Sequence, residues 1–363
     1  MQTNSGKKVF VALSGGVDSS VSAALLVDQG YDVTGVYMKN WSGDNFGIQD
    51  DCPWEKDQED AKSVCDHLGI SFRSFNFEKE YREKVVEYFF AEYKAGRTPN
   101  PDVMCNKEIK FHLFLKRALE EGADMIATGH YVRRKEEQSV FKLLKGVDEN
   151  KDQSYFLYNI TQEQLSKTLF PIGDLEKAEV RDLAKKYNLP VADKPDSQGI
   201  CFIGEIDVQE FLRSRIDPHK GDIVDIDSGK KVGEHDGVEF FTLGQREGIG
   251  VGGTKEPYFV VDKDGKKNIL YVGMGSDHQK LYKKEVNIEN LHLINSASSF
   301  EELIERELTA SVRYRQKPQP GKLIQIEDEL KFIFENSQRA VTPGQSLVLY
   351  KGDECLGGGV ISK

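Results

Sequence analysis

Residues 8–13 form a short β-rich segment that leads directly into a glycine-rich loop. The loop reads Ser14-Gly15-Gly16-Val17-Asp18-Ser19-Ser20 and opens a segment with helical character that extends to Gln29. Glycines allow the backbone to approach an anion closely, and the start of a helix attracts negative charge. This order of strand, loop and helix predicts a pyrophosphate-binding site. A capped βα turn without a ligand is the alternative. The Walker spacing Gly-x-x-x-x-Gly-Lys-Ser/Thr and its lysine are missing.

β-rich and helical segments continue to alternate through the first 130 residues. Helical segments place apolar side chains at i, i+3, i+4 and i+7, as in Ala61, Val64, Cys65 and Leu68. Repeated βα alternation predicts an α/β fold with a doubly wound parallel sheet, and ligands of such sheets bind at the carboxyl ends of the strands. The segments are 32–37, 55–68, 71–76, 78–94, 107–121 and 125–128.

From about Gly221 the pattern changes to β-branched and aromatic runs punctuated by glycine. Asp236-Gly237 and Asp264-Gly265 are typical of hairpin turns, so we expect an antiparallel sheet here. Residues 307–361 hold about six short β-rich runs, enough for a small barrel or sandwich. We therefore predict an α/β domain over 1–205, a small central β-rich domain over 206–280 and a C-terminal β-barrel over 281–363.

The charge balance excludes one class of partner and leaves another open. Lys and Arg number 49 against 60 Asp and Glu, a net charge of -11, which argues against indiscriminate nucleic-acid binding. Basic clusters at 107–116, 133–135, 142–151 and 313–317 still allow a local RNA-binding face. The chain has no apolar run of about 20 residues, and residues 1–9 lack the apolar stretch of a signal peptide. We expect a cytoplasmic protein without a membrane partner.

Two of the five cysteines follow polar loops rich in turn-forming residues. Cys105 ends the loop 96–105 just before a helical segment predicted to begin at Lys107, where the helix dipole and nearby lysines favour the thiolate. A role as a small buried hydrophobe is not expected for it. Cys201 follows the loop 193–200. Cys65 and Cys355 are interpreted as packing residues, and Cys52 is undecided. The sequence contains no C-x-x-C pair, so neither a zinc site nor a disulfide framework is indicated.

Eight motifs in a fixed order identify a resemblance to a known family. The phosphate loop resembles the PP-loop of N-type ATP pyrophosphatases, which split ATP into AMP and pyrophosphate while adenylating a substrate. With the two cysteine loops added, nearly the whole chain resembles the bacterial-type tRNA-specific 2-thiouridylases. That family converts the wobble uridine of certain tRNAs to 2-thiouridine. The motifs are 12–19, 96–110, 127–131, 151–155, 196–202, 241–246, 312–315 and 340–345.

The resemblance implies a PP-loop catalytic domain of the adenine nucleotide alpha hydrolase type and a set of site residues. Cys201 would carry sulfur as a persulfide, Cys105 would be the nucleophile that helps to liberate it, and a transient Cys105–Cys201 disulfide would result. Asp102 would act as general acid or base, and Asn100, Pro101 and Asp102 would contact the target base. ATP would bind through Met38, Gly129 and the residues Ala12, Leu13, Ser14, Gly15, Gly16, Val17, Asp18 and Ser19, with Mg²⁺ linked to Asp18.

The resemblance also implies a set of tRNA contacts and a sulfur-donor protein. A cysteine desulfurase or a relay carrier would deliver sulfur, the tRNAs would be those for Lys, Glu and Gln, and no cofactor would be bound permanently. His130 is equally well interpreted as a structural histidine. Arg313 and Arg315 flank Tyr314 at strand spacing, so the segment could reach phosphates and stack a base. The expected tRNA contacts are His130, Lys151, Asp152, Gln153, Arg313, Tyr314 and Gln345.

The chemistry of uridine gives an independent reason for these parts. The C2 carbonyl is a poor electrophile, so adenylation of its oxygen allows departure with AMP when sulfur attacks. One thiol must then carry the sulfur and a second must reduce the carrier. Two alternatives remain at this stage. A PP-loop ligase or amidotransferase would act on a small molecule, although no glutaminase signature is present. A non-catalytic ATP-binding or tRNA-binding module would have no use for a thiol pair.

Overall fold

A computed structural model of the protein describes residues 6–42, 54–196, 207–253, 255–295 and 300–362. The strands, in chain order, are β1 Lys8–Leu13, β2 Asp32–Lys39, β3 Ser71–Asn76, β4 Met125–Ala127, β5 Val132–Glu137, β6 Val140–Lys145, β7 Thr168–Leu169, β8 Gly221–Asp225, β9 Lys231–His235, β10 Tyr258–Asp264, β11 Ile269–Met274, β12 Tyr282–Leu293, β13 Glu307–Ser311, β14 Gln319–Ile326, β15 Glu329–Arg339, β16 Ser346–Lys351 and β17 Glu354–Ile361.

The helices include two that contain π-helical segments. In chain order, the helices are α1 Val17–Asp28, α2 Trp54–Leu68, α3 (Glu78–Tyr81, π-helical Arg82–Val86, Glu87–Lys94), α4 (Pro101–Met104, π-helical Cys105–Phe114, Leu115–Glu120), α5 Gln162–Ser166, α6 Lys177–Lys186 and α7 Val208–Arg213. Short 3₁₀ turns lie at Ser154–Leu157, Val238–Phe240, Gln279–Leu281 and Phe300–Glu302. No helix in the described ranges is long and apolar enough to cross a lipid bilayer.

A parallel sheet in the strand order β3-β2-β1-β4-β7 forms the centre of the first part of the chain. Strand β1 is buried on both faces because α-helices cover each side. Val9, Val11 and Leu13 pack with residues of α1 and α2, whereas Phe10 and Ala12 belong to the opposite cluster, which contains residues of α3 and α4. The strand order reverses between β1 and β4, and ligands of such sheets bind at this point. The predicted fold class is confirmed.

The central sheet has the order β10-β11-β8-β9 and corrects two details of the prediction. Asp264-Gly265 begins the β10–β11 hairpin as expected. Asp236-Gly237 does not make a hairpin, because the chain leaves β9 and enters the 3₁₀ turn Val238–Phe240. The sheet is also not purely antiparallel. Strand β9 occupies one edge of β8, so β11 pairs with the other edge, in parallel, with Ile269 opposite Asp222.

The C-terminal strands form a closed barrel in the order β12-β15-β14-β13-β16-β17, which the β12–β17 pairing completes. Within the described part of 307–361 there are five strands instead of the predicted six, and β12 from upstream is the sixth strand of the barrel. Leu323, Phe332, Phe334 and Leu347 fill the interior. The β5–β6 hairpin of the first domain extends this sheet along β17. The α/β part and the barrel therefore share one sheet.

Candidate active site

The phosphate loop lies between β1 and α1, at the carboxyl edge of the parallel sheet. Gly15 has a φ of +73°, and a Cβ placed on it would lie 2.4 Å from the backbone oxygen of Asp57 in α2. Gly16 occupies the N-cap of α1 and has no side chain with which to cap the first turn. The amide of Ser14 donates to the hydroxyl of Ser19 over 3.2 Å. The amide groups at the start of α1 therefore have no side-chain cap, and such a helix start attracts anions.

The other predicted nucleotide contacts surround this loop. Gly129 follows β4, and a Cβ placed on it would lie 2.7 Å from the backbone nitrogen of Ser19. Met38, the penultimate residue of β2, is buried, as are Ala12 and Leu13. These three side chains belong to the core, so a nucleotide at this edge would meet their backbone. The structure thus brings Met38 and Gly129 to the same end of the sheet as the loop.

Asp18 in the first turn of α1 has two partners that sequence reasoning missed. Its Oδ1 accepts hydrogen bonds from the hydroxyl of Tyr131 over 2.8 Å and from the Nζ of Lys177 over 2.7 Å. Lys177 also lies 2.8 Å from Oδ1 of Asp196. A basic pair spaced four residues apart in α6, Lys177 and Arg181, is the signal in the sequence that could have indicated this cluster.

Asp196 is surrounded by cations and is the last described residue before the segment that carries Cys201. Lys151 contacts its Oδ2 over 2.6 Å, and Lys177 and Arg181 contact its Oδ1. These hydrogen bonds and charges hold the pKa of the Asp196 carboxyl well below its usual range, although partial burial opposes them. Cys201 and its predicted pairing with Cys105 lie outside the described residues, as does Cys52.

The donor set around Asp18 fits Mg²⁺ in one way only. In the described part of the chain, no group of three His, Cys, Asp or Glu side chains is arranged to hold a metal ion. Mg²⁺ is commonly bound through one or two carboxylates together with substrate phosphates. Asp18 at the phosphate loop is compatible with that arrangement.

Helix α4 begins earlier than predicted and therefore buries Cys105. The side chain of Asn100 accepts a hydrogen bond from the amide of Val103 over 3.2 Å, and Pro101 occupies the first turn. The helix therefore starts at Pro101 instead of Lys107, because the cap and the proline both favour a start there. Cys105 lies one turn inside the helix and is fully buried in the main core. The expectation that it would not be a buried residue is wrong.

The loop residues predicted to contact the target base lie directly on this helix start. Asp102 is part of the first turn, two residues after the capping Asn100. The backbone oxygen of Asp102 accepts a hydrogen bond from the side-chain nitrogen of Asn106 over 3.0 Å, and Asn106 is itself buried. One short turn thus carries Asn100, Pro101 and Asp102 and connects directly to Cys105.

His130 is a buried residue in this structure. Its Nδ1 lies 2.8 Å from the hydroxyl of Thr128, and its ring packs near that of Phe111 in α4. Burial, aided by the charge of Lys110, lowers the pKa of His130 well below its ordinary value. The side chain is therefore neutral at physiological pH. Its burial and its contact with Thr128 fit the structural interpretation, and a tRNA contact stays a prediction.

The predicted contacts at 151–153 form a turn whose polar groups have intramolecular partners. The carboxylate of Asp152 accepts hydrogen bonds from the amide and hydroxyl of Ser154 over 3.1 and 2.8 Å, and burial raises its pKa. The Oε1 of Gln153 accepts from the amide of Tyr131 over 3.0 Å. Lys151 faces Asp196. The hydroxyl of Ser154 lies 3.1 Å from that of Tyr350 in β16, so this turn connects the phosphate-loop side of the site with the barrel.

The segment Arg313-Tyr314-Arg315 is not extended as predicted. Strand β13 ends at Ser311, and the segment forms a turn in which Arg315 has a φ of +60°. The ring of Tyr314 packs against that of Phe156 at a centroid distance of 4.4 Å, and the Arg315 guanidinium lies 5.3 Å from its centre. The strand prediction failed because the chain must turn here to reach β14. The turn nevertheless places Tyr314 beside the 3₁₀ turn that follows Gln153.

Gln345, the last predicted tRNA contact, points at the loop that precedes Asn100. Its side-chain nitrogen donates to the backbone oxygens of Thr98 and Pro99 over 2.9 and 3.0 Å. The amide of Thr98 donates to the backbone oxygen of Pro343 over 2.9 Å. The hydroxyl of Thr98 lies 3.2 Å from that of Thr242 in the central part of the chain. Thr98 and Thr242 carried no functional prediction.

Comparison with known proteins covers the chain in three parts. Residues 7–205 match the family described as tRNA methyl transferase HUP domain, 209–274 match the tRNA methyl transferase PRC-barrel domain, and 283–361 match the aminomethyltransferase beta-barrel domain.

Full-length relatives are similar over almost the whole chain. A tRNA-specific 2-thiouridylase MnmA of Stutzerimonas stutzeri is 51% identical, covering 98% of this chain and 94% of the relative. The protein of the same name from Streptococcus thermophilus is 50% identical over 100% of this chain and 97% of its own length. That of Christiangramia forsetii is 45% identical over 98% of this chain and 100% of its own.

Proposed function

Because this chain belongs to the tRNA-specific 2-thiouridylase family, we propose that it replaces the C2 oxygen of a tRNA wobble uridine with sulfur, at the expense of ATP. The observation that carries the proposal is the identity of 45–51% to relatives of that name over at least 98% of the chain. The substrates would be tRNAs for Lys, Glu and Gln. A desulfurase or relay protein would supply the sulfur in the cytoplasm.

In the first step, the uridine C2 oxygen attacks the α-phosphorus of ATP. A bond forms between that oxygen and phosphorus, the bond from the α-phosphorus to the bridging oxygen breaks, and pyrophosphate leaves. The amide groups at the start of α1 and the ammonium of Lys177 would bind the phosphates. Asp18 would hold Mg²⁺ together with phosphate oxygens, and the ion would neutralise phosphate charge. Asp102 would accept the N3 proton of the base as the C2 oxygen is adenylated, and would return it when 2-thiouridine is released.

In the second step, the terminal sulfur of a Cys201 persulfide attacks C2, and the former C2 oxygen leaves with AMP. The Cys105 thiolate then attacks Sγ of Cys201, which breaks the persulfide bond, releases 2-thiouridine and forms the Cys105–Cys201 disulfide. An external thiol must supply two electrons to restore the cysteines. Cys105 is fully buried, so the proposal requires that its thiol become accessible when tRNA is bound.

The test uses the full chain with ATP, unmodified tRNA and a persulfide source. We expect AMP, pyrophosphate and 2-thiouridine, and mass spectrometry of the tRNA nucleosides separates an added sulfur from an added methyl group. Cys201→Ser should abolish thiolation and spare adenylation, whereas Asp18→Ala should abolish pyrophosphate release. Cys355→Ser is the matched control, because that cysteine lies in the core of the barrel junction.

Three outcomes would contradict the proposal. Normal 2-thiouridine formation by Cys201→Ser would remove the persulfide role. ATP turnover that depends on a small metabolite and not on tRNA would favour a ligase. The absence of any turnover by the wild-type chain would favour a binding module.

A further inference from the structure

All three parts of the chain meet at Thr98. Its amide donates to the backbone oxygen of Pro343 in the barrel, and its hydroxyl contacts that of Thr242 in the central part. Its backbone oxygen accepts from Gln345. Only 8% of Thr98 is exposed. A polar loop residue held at its amide, carbonyl and hydroxyl cannot shift without breaking contacts to two other parts of the chain.

The side chain of Gln345 has its orientation defined by this contact. A carboxamide nitrogen has two hydrogens to donate, and here both partners are backbone oxygens, of Thr98 and Pro99. The reverse orientation would place an oxygen against two oxygens. Both donors are therefore used within the protein. Only the amide oxygen of Gln345 is left for a ligand, and it can accept hydrogen bonds but cannot bind phosphate.

The backbone approach beside Gln345 is also unusually close. Gly344 has a φ of +93°, and a Cβ placed on it would lie 2.8 Å from the backbone oxygen of Thr98 and 3.0 Å from Cβ of Arg97. Arg97 is in turn paired with the buried Glu92 of α3. The barrel turn and the loop are thus in direct contact, with no room for a side chain between them.

Two prolines connect the held carbonyls with the first turn of α4. Pro99 and Pro101 each have a restricted φ, and each also restricts the residue before it. Thr98 is followed within four residues by Asp102, and Asn100 caps the helix between them. Displacement of the Thr98 and Pro99 carbonyls would therefore be passed to Asn100 and Asp102 instead of being absorbed by free rotation.

We propose that Gln345 is a positioning residue through which the C-terminal barrel holds the target-base turn, residues 100–102, in its reactive geometry. The barrel thus contributes to the chemical step as well as to tRNA binding. This role rests on the proposed thiolation, because it assigns the turn a part in that reaction. We call the two hydrogen bonds from Gln345 to the backbone oxygens of Thr98 and Pro99 the clamp. Loss of the clamp lowers the fraction of enzyme with a correctly placed Asp102, and the rate falls in proportion to that fraction.

The informative variant is Gln345→Glu, which keeps the shape of the side chain but replaces the donating nitrogen with oxygen. Gln325→Glu is the matched control, because Gln325 is also a barrel glutamine whose nitrogen donates to a backbone oxygen, that of Glu327 at an exposed turn. For both variants we would measure the single-turnover rate of 2-thiouridine formation at saturating tRNA and ATP, and the tRNA Kd by filter binding. Hydrogen exchange of residues 98–104 in the free protein reports on the clamp without any reaction.

We expect Gln345→Glu to lower the single-turnover rate about tenfold or more, since two hydrogen bonds are lost, and to change the tRNA Kd less than about threefold. Exchange at 98–104 should accelerate. A protonated carboxyl donates one hydrogen bond, so the defect should shrink as the pH falls from about 8 to about 6. Gln325→Glu should match the wild type in every measurement.

Two results would overturn the role. One is a weakened tRNA Kd with an unchanged rate at saturation, which would make Gln345 a tRNA contact alone. The other is unchanged exchange at 98–104 in Gln345→Glu. Failure of the proposed function is recognised separately, because the wild-type chain would then form no 2-thiouridine while the exchange measurement would still report the clamp.

Discussion

Gly129→Ala adds one methyl group at the point where β4 meets the phosphate loop. The new Cβ would lie 2.7 Å from the backbone nitrogen of Ser19 and 2.9 Å from both Cα of Ser19 and the carbonyl carbon of Asp18, all below the 3.4 Å of ordinary contact. These are backbone atoms and cannot rotate away as a side chain would. Either β4 or the first turn of α1 must move.

The cost can be estimated from overpacking in protein cores, which is typically ~1–3 kcal/mol. If the strain is relieved by displacing the first turn of α1, the amide groups that bind phosphate move with it. A loss of ~1–3 kcal/mol of binding free energy corresponds to a weakening of ATP affinity by roughly 5- to 150-fold. We expect a weakened ATP Kd in titration calorimetry and a matching loss of pyrophosphate release at low ATP.

Gly265→Ala is the control for this prediction. Gly265 lies in the β10–β11 turn, and a Cβ there would meet no atom within 4 Å. Its ATP Kd should equal that of the wild type. An ATP Kd for Gly129→Ala within about twofold of the wild-type value, with unchanged thermal unfolding, would refute the reasoning that this glycine is required by the phosphate loop.

Three further predictions concern charge and burial. Lys177→Met should slow pyrophosphate release about tenfold or more, because the cation between two carboxylates is lost, whereas Lys185→Met on an exposed part of the same helix should not. Burial holds the pKa of His130 below the ~6.5 of the unfolded chain, so unfolding takes up a proton and stability falls as the pH drops below ~6.5, by at most ~1.4 kcal/mol per pH unit. His130→Gln should remove that contribution, which urea unfolding at pH ~7 and ~5 measures. The same loss of unfolding free energy between the two pH values in the variant and the wild type would contradict it. Burial raises the pKa of Cys65 to about 12 and that of Cys355 further, so iodoacetamide at pH ~8 should label both only after denaturation, and peptide mass mapping of the native protein would reveal any exception.

Periodic patterns in the sequence were sufficient to predict the βα alternation of the first 130 residues. Strand β3 has the predicted bounds of 71–76, and β1, the phosphate loop and α1 follow the predicted order. The apolar side chains on both faces of β1 and the apolar stripe that includes Cys65 can be recognised locally. Side chains return to the same face every two residues in a strand and about every 3.6 residues in a helix. Cys65 indeed packs in the core between α2 and the sheet.

The predictions failed where a local signal was overlooked, or where the path of the chain between two strands decides the local conformation. The start of α4 was predicted too late because the capping Asn100 was interpreted as part of a polar loop. The Arg313–Arg315 segment was predicted as a strand, but the path from β13 to β14 requires a turn there. The prediction that Cys105 would not be buried was wrong for the same reason as the predicted helix start, since moving the start by six residues changes which side chains face the core.

The contacts that define the candidate site join residues far apart in the chain. Lys177 reaches Asp18 across 159 residues, and Gln345 reaches Thr98 across 247. Residue type and spacing indicate which groups can bind phosphate or carry sulfur, because that chemistry resides in single side chains and short loops. Which of these groups meet depends on how the sheet, the central domain and the barrel pack. That packing depends on many weak contacts between residues far apart in the chain, so it cannot be predicted from any short stretch of sequence.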